Sequence, residues 1–193
     1  CMKALEEKIL REGKVLPGNI LKVGGFLNHQ IDTVFLKEMA QEVARLYRGS
    51  GVNKIVTVEA SGIAYAAAIG MELSVPIVFA KKHRTDNLSG NVYGAMVHSY
   101  THGQDYRIVI EKDCLKEDDR VLIADDFLAL GNAIRGLIDI VGQAGAEVVG
   151  ITTQIEKGFQ GGGDELRREG YRVDSLAIID SMENGTVRFR HQG

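Results

Sequence analysis

Short, unbroken apolar runs separated by helix-length segments constrain this chain more than any other feature. The runs are Lys54-Ile55-Val56-Thr57-Val58, Pro76-Ile77-Val78-Phe79-Ala80, Arg107-Ile108-Val109-Ile110, Val121-Leu122-Ile123-Ala124 and Val148-Val149-Gly150-Ile151-Thr152. A strand with one wet face alternates apolar and polar residues, whereas an unbroken run is covered on both faces. Ile63–Leu73 reads as a small-residue helix, and a second helix is expected from about Gly131 to Ala144. Upstream, residues 3–12 form an amphipathic helix pattern with Leu5, Ile9 and Leu10 on one face, and Ile20-Leu21-Lys22-Val23 is a short strand ending in a Gly24-Gly25 turn. Asp32 or Thr33 can cap a helix whose apolar stripe is Leu36, Met39, Ala40, Val43, Ala44 and Tyr47. A last strand is expected near Thr186–Phe189. The alternation predicts one α/β domain over residues 1–193, with a mainly parallel sheet flanked by helices. Such sheets bind ligands at the carboxyl ends of their strands, which points to the loops beginning near Glu59, Lys81, Asp125 and Glu156.

Composition narrows the partners. With 23 basic against 26 acidic residues the net charge is −3, which gives no general attraction to nucleic acid or to an anionic membrane. An anionic substrate would need a local cluster of donors. Cys1 and Cys114 are the two cysteines, and neither has a Cys or His at ligand spacing, so reduced thiols are expected and neither a disulfide framework nor a zinc site. No apolar stretch reaches the length of a membrane span, and the N-terminus lacks the apolar run of a signal peptide. A cytoplasmic location is expected, with Met2 as the natural initiator. From Lys81 to Gln104 the strand–helix rhythm breaks into a polar stretch with Gly90, Gly94, Gly103 and three histidines, predicting a flexible flap or an extended hairpin.

The chemistry concentrates in Val121-Leu122-Ile123-Ala124-Asp125-Asp126-Phe127-Leu128-Ala129-Leu130-Gly131-Asn132-Ala133. A buried strand delivers two adjacent carboxylates, and a short loop with Gly131 opens a helix whose free N–H groups and dipole suit a phosphate. Two acids beside a phosphate cradle can hold a sugar by its hydroxyls, or a magnesium ion. On the acidic pair alone, plain capping of the helix is an equally good account.

The whole segment resembles the phosphoribosyl pyrophosphate (PRPP) motif of the type I phosphoribosyltransferases, and its form Asp-Asp-Phe-Leu-Ala-x-Gly is close to the adenine and xanthine branches of that family. The resemblance implies that Asp125 and Asp126 hydrogen-bond the ribose hydroxyls as the catalytic acids. It implies that Ala129, Leu130, Gly131, Asn132 and Ala133 wrap the 5′-phosphate. Hypoxanthine–guanine members carry an aspartate where this chain has Ala129, which argues against that branch. Glu59-Ala60-Ser61-Gly62-Ile63 is similar to the family's pyrophosphate loop, and Lys81-Lys82-His83-Arg84 would add cations to it, with Lys81 and Lys82 as the pyrophosphate ligands. Alone, these segments read as an ordinary strand-to-helix turn and a solvated basic run. In Ile155-Glu156-Lys157-Gly158-Phe159, Lys157 can donate to a purine O6 while Phe159 stacks on the ring, although alone Phe159 reads as core and Lys157 as solvated. Phe26-Leu27-Asn28-His29-Gln30-Ile31-Asp32, with Leu21 ahead of it, resembles the base-covering hood of the xanthine branch, where Asn28 would meet the polar edge of the base and Leu21 one ring face. The chain departs from the family form at Leu130, where Asn is expected, at Asn132, where Gln is expected, and at Ala60, where Ser is expected. A loop that binds through backbone N–H groups should keep its phosphate despite these changes.

The resemblance therefore implies a single type I phosphoribosyltransferase domain. Its hood would comprise residues of about 15–32 and 156–190, and its flexible flap residues of about 81–104. It implies a purine salvage enzyme, a pentosyl-group glycosyltransferase that moves the 5-phosphoribosyl group from PRPP to xanthine, giving XMP and pyrophosphate. The transition state would have oxocarbenium character. Magnesium would arrive mainly with PRPP, with no certain protein ligand of its own. A homodimer is expected from the family, and no nucleic-acid or membrane partner. A PRPP-sensing transcription regulator of the same fold is the alternative of another class, and it would need a basic surface or an added DNA-binding module. A phosphoribosyltransferase for guanine or hypoxanthine is the alternative within the family. A nicotinamide-binding Rossmann protein is excluded because no Gly-x-Gly-x-x-Gly follows the first strand.

Overall fold

The chain begins with helix α1 (Lys3–Glu12), a small hairpin of β1 (Lys14–Leu16) and β2 (Ile20–Lys22), and helix α2 (Thr33–Tyr47). An α/β series follows: β3 (Lys54–Val58), α3 (Gly62–Leu73), β4 (Ile77–His83), β5 (Val92–Ser99), β6 (Gln104–Glu111), β7 (Arg120–Leu128), α4 (Asn132–Gln143), β8 (Glu147–Lys157), α5 (Gly162–Arg168), β9 (Val173–Ser181) and β10 (Arg188–Phe189). The structure is a computed structural model that describes residues 2–83, 90–99 and 103–191. Among those residues no helix is long and apolar enough to cross a membrane.

One eight-stranded sheet has the order β10-β9-β8-β7-β3-β4-β6-β5. The five strands from β9 to β4 run parallel, while β6, β5 and β10 are antiparallel additions at the two edges. Both faces are covered at the centre. On one side α2 and α3 pack with α1 over Met39, Tyr65, Leu122 and Ile155; on the other α4 covers Val56, Ile108, Ile123 and Ile151. This two-sided burial is why β3 and β7 read as continuous apolar runs.

Local chemistry sets the element ends. The Asp32 carboxylate accepts from the N–H of Phe35 at 3.0 Å and caps α2, whose buried face begins with Phe35 rather than the expected Leu36. Leu5 and Ile9 of α1 are buried as expected, but Leu10 is 59% exposed because it lies at the edge of that face. Gly24-Gly25 opens a wide helical turn over Gly24–Asn28 instead of a tight turn. Strand β7 does not stop at Ala124 but continues to Leu128, so the two acids lie inside it. Of the stretch expected as a flap, β5 pairs with β6 in an antiparallel ladder from Val92–Glu111 to Ser99–Gln104, while residues 84–89 and 100–102 lie outside the described residues.

Chain segments far apart in sequence gather at the β9 edge. The N–H of Met2 donates to the carbonyl of Leu176 at 2.8 Å, α1 packs on β9, and the β1–β2 hairpin reaches the turn at Glu183–Gly185. The hairpin therefore stands over the carboxyl end of β8.

Candidate active site

The site starts with Asp125 and Asp126, 7% and 8% exposed near the carboxyl end of β7. The N–H of Asp126 donates to Asp125 Oδ1 at 2.9 Å, and the N–H of Phe127 donates to Asp126 Oδ1 at 2.8 Å. Neither acid caps α4, whose N-terminal flanking residue is Gly131 at φ +84°, a left-handed conformation that favours glycine. The capping account of the pair is thus removed. Among the described residues neither carboxylate makes an ion pair. Burial pushes the Asp125 carboxyl well above the usual carboxylate range, the charge of Asp126 pushes it further, and Lys82 opposes both more weakly. Two buried acids with no ion pair among the described residues form a preorganised acceptor for hydroxyl groups.

Beyond β7 the loop Ala129–Gly131 and the first turn of α4 border a cleft of about 280 Å³. Asp125, Phe127, Tyr106 and Lys157 line it together with Ala129, Leu130, Gly131, Asn132 and Ala133. Asn132 Nδ2 donates to the carbonyl of His98 at 3.1 Å, tying the start of α4 to strand β5. All five residues expected around a phosphate therefore reach one cleft, with Asp125 at its base.

The turn from β3 into α3 carries Glu59, Ala60, Ser61 and Gly62. Glu59 Oε1 accepts from the N–H of Lys82 at 2.5 Å, and the N–H of Glu59 donates to Ala80 at 3.0 Å, fastening the turn to β4. The Glu59–Ala60 peptide bond is cis. Ala60 and Ser61 are exposed and Gly62 is buried. A Cβ on Gly62 would stand 2.4 Å from Thr57 Oγ1 and 2.9 Å from Asp125 Oδ1, so this glycine lets the turn approach the acid. The two lysines of β4 separate. Lys82 Nζ lies 5.1 Å above the ring of Tyr106, on the cleft side. Lys81 instead lines a different concavity of about 430 Å³ with Ile77, Phe79 and Val109. Successive strand residues point to opposite faces, so adjacent lysines cannot both serve one site from a regular strand.

At the other end of the cleft Lys157 closes β8. Its ammonium donates to the carbonyl of Asn19 in the β1–β2 turn at 3.2 Å and lies 5.7 Å from the Phe127 ring centre. Partial burial lowers its proton affinity. Leu21 is buried in the hood-side core, and Phe159 packs against that same core. Asn28 is exposed at the end of the wide turn. These three stand on the hood side and do not line the cleft. The aromatic rings at the cleft are those of Tyr106 and Phe127, which the residue pattern left unassigned; Phe127 is the one near Lys157. Its signal is its place two residues after Asp125, the period that returns a side chain to the same face of a strand. Glu156, expected near the start of a ligand-binding loop, is instead fully buried inside β8 and bound by the guanidinium fork of Arg167 at 2.8 and 2.7 Å.

Residues 29–192 match the family described as phosphoribosyl transferase domain, and the chain belongs to that family. It is similar to the xanthine phosphoribosyltransferase of Bifidobacterium adolescentis, at 50% identity over 192 residues, covering 98% of this chain and 100% of the relative. It is also similar to xanthine phosphoribosyltransferase 1 of Clostridium perfringens, at 53% identity over 190 residues, covering 98% of this chain and 100% of that one. The crystal structure of adenine phosphoribosyl transferase from Trypanosoma brucei superimposes with a TM-score of 0.76 at 17% identity, over 98% of this chain and 86% of that one, a likeness of fold.

Proposed function

We propose that this chain transfers the 5-phosphoribosyl group of PRPP to xanthine, releasing pyrophosphate and giving XMP in purine salvage. The observation that carries the reading is the buried Asp125–Asp126 pair, without an ion pair among the described residues, beside the Ala129–Ala133 loop, in a chain about half identical over its length to relatives named for xanthine. The C1–oxygen bond to pyrophosphate breaks as a purine ring nitrogen bonds to C1, the proton of that nitrogen passing to the released pyrophosphate or to water, and positive charge develops on the sugar in the transition state. Asp125 and Asp126 accept from the ribose hydroxyls and fix the ring. The N–H groups at the start of α4 receive the 5′-phosphate. The Glu59–Gly62 turn and Lys82 receive the departing pyrophosphate. Magnesium bound with PRPP neutralises charge on that leaving group. The oxygen-rich acid pair fits such a cation, and no cluster of three or more His, Cys, Asp or Glu residues occurs among the described residues to hold one independently.

At the base end, Lys157 trades the Asn19 carbonyl for the purine O6, and Phe127 supplies a ring face. Leu21 and Asn28 enter from the hood. No side chain acts as a covalent nucleophile, so positioning and leaving-group stabilisation supply the rate. The reading extends to a cytoplasmic homodimer. The concavity lined by Ile77, Phe79 and Val109 supports it, since Phe79 is 38% exposed on a sheet face that a second copy would cover.

The test is turnover with PRPP and magnesium against xanthine, guanine, hypoxanthine and adenine. Xanthine should give the highest kcat/KM. Consumption of PRPP with no purine would overturn the reading, and a preference for guanine would overturn the choice of base.

A further inference from the structure

Helix α5 has only seven residues and follows Gly161 with two more glycines, Gly162 and Gly163, a composition that does not sustain a helix on its own. Two attachments hold it. Leu166 is fully buried, and Arg167 clamps the carboxylate of Glu156 in β8 with both Nη atoms. Ser175 donates to the same carboxylate, and Thr153 donates to Ser175 at 3.0 Å. A second run of ion pairs continues outward from α5, with Arg190 joining Asp164 at 2.8 Å and Asp180 at 2.9 Å.

Each of the three glycines is required for a different reason. Gly161 adopts φ +87°. A Cβ on Gly163 would stand 1.9 Å from Glu156 Oε1. A Cβ on Gly162 would stand 2.4 Å from the carbonyl oxygen of Ala129 and 2.5 Å from the carbonyl carbon of Leu130, both backbone atoms that cannot swing away. The N–H of Gly162 donates to that Ala129 oxygen at 3.1 Å. A loop that offers N–H groups to an anion must turn its carbonyls elsewhere, and each of those needs a donor on the far side. For Ala129 the donor is Gly162.

We propose that α5 is the backing of the phosphate loop, with Gly162 and the Glu156–Arg167 pair as positioning residues that hold the carbonyl of Ala129 away from the bound 5′-phosphate. The proposal rests on the reading of Ala129–Ala133 as that phosphate's loop. Glu156 also adjoins Lys157 in the chain, so Gly162→Ala is the cleaner perturbation.

The experiment compares full-length wild type and Gly162→Ala by KM for PRPP, KM for xanthine, and inhibition by ribose 5-phosphate and by pyrophosphate. The KM for PRPP and the inhibition constant of ribose 5-phosphate should rise together by about tenfold to a hundredfold, the scale of a small misplacement of a binding group, while the other two constants stay within about twofold. Arg167→Lys keeps the charge but loses the fork, and should shift the same two constants by a smaller factor; it carries the test if Gly162→Ala does not fold. The proposal is overturned if inhibition by ribose 5-phosphate is unchanged, or if all four constants worsen in parallel with a fall in melting temperature, which would mark α5 as general scaffolding. A wild-type protein that binds neither PRPP nor ribose 5-phosphate would sink the phosphate-loop reading itself.

Discussion

Replacing Asp125 by Asn should stabilise the protein and weaken its binding of PRPP at the same time. The side chain is 7% exposed, the charge that acts on it most strongly is the Asp126 carboxylate, and among the described residues it accepts from the N–H of Asp126. A carboxyl held above its ordinary value of 3.8 keeps its proton more tightly in the folded chain than in the unfolded one. Its contribution to stability is full below the unfolded value and is lost as pH rises through the higher folded one. As pH rises past that unfolded value, the folded wild type must either keep a proton that the unfolded chain releases or carry a buried charge beside the Asp126 carboxylate, and both cost stability. Asn preserves the volume and removes the charge. The expected gain at pH 8 is about 1–3 kcal/mol, the scale of an unpaired buried polar group. For a chain of this length, each kcal/mol moves the melting temperature by about 2–4 °C. The gain should shrink toward zero below about pH 4, where the wild-type acid is also neutral. Over the same series PRPP affinity should fall by about tenfold to a hundredfold, as a hydrogen bond to a charged acceptor is lost. Melting curves from pH 4 to pH 8, with equilibrium PRPP binding at pH 8, measure both. A variant that melts below wild type at pH 8, or a gap independent of pH, would refute the account of Asp125 as an unpaired acid kept for its ligand.

Three further outcomes follow from the same geometry. Gly62→Ala should lose about 1–3 kcal/mol from overpacking against Thr57 Oγ1 and Asp125 Oδ1, read as a lower urea midpoint, and should weaken PRPP binding through displacement of the acid. Arg167→Met should cost about 3–5 kcal/mol because it strands the fully buried Glu156, whereas Arg167→Met with Glu156→Gln should cost clearly less; equal losses in denaturation would refute the buried pair. Asn28→Ala should reduce kcat/KM more for xanthine than for hypoxanthine, since only xanthine presents an acceptor at C2, and equal losses would assign Asn28 to an edge the two bases share.

The centre of the fold was readable because a parallel strand covered on both faces announces itself as an unbroken apolar run, as Lys54–Val58 and Val121–Ala124 do. The acids were readable for the same reason, since polar residues at the end of such a run need an explanation. What was harder to read owes its structure to a pairing partner rather than to its own residues. Strand β1 has three residues and exists by pairing with β2. Strand β5, an edge strand held by β6, has the polar character that left its stretch open between a flap and an extended hairpin, and its described part is the hairpin. Helix α5, with its glycines, is held by Glu156 rather than by its own propensity. Strand β9 did carry a signal in Leu176-Ala177-Ile178-Ile179, an apolar run like the others that went unread. The divergence of Lys81 and Lys82 follows from strand geometry, but only once β4 is known to continue through them to His83.

The hood also bears on the order in which the enzyme can be built. The part of the cleft formed by Asp125–Ala133 draws on β7 and α4, neighbours in the chain that can meet through a short loop closure. The Lys157 end cannot assemble that way, because Asn19 meets Lys157 and Met2 meets Leu176 only after most of the chain has been threaded into the sheet. Contacts of such high contact order carry the largest loop-closure entropy and form late. During synthesis from the N-terminus, α1 and the β1–β2 hairpin must wait on the ribosome for β8 and β9 to emerge. Folding intermediates should therefore gain affinity for ribose phosphates before they acquire any for the base.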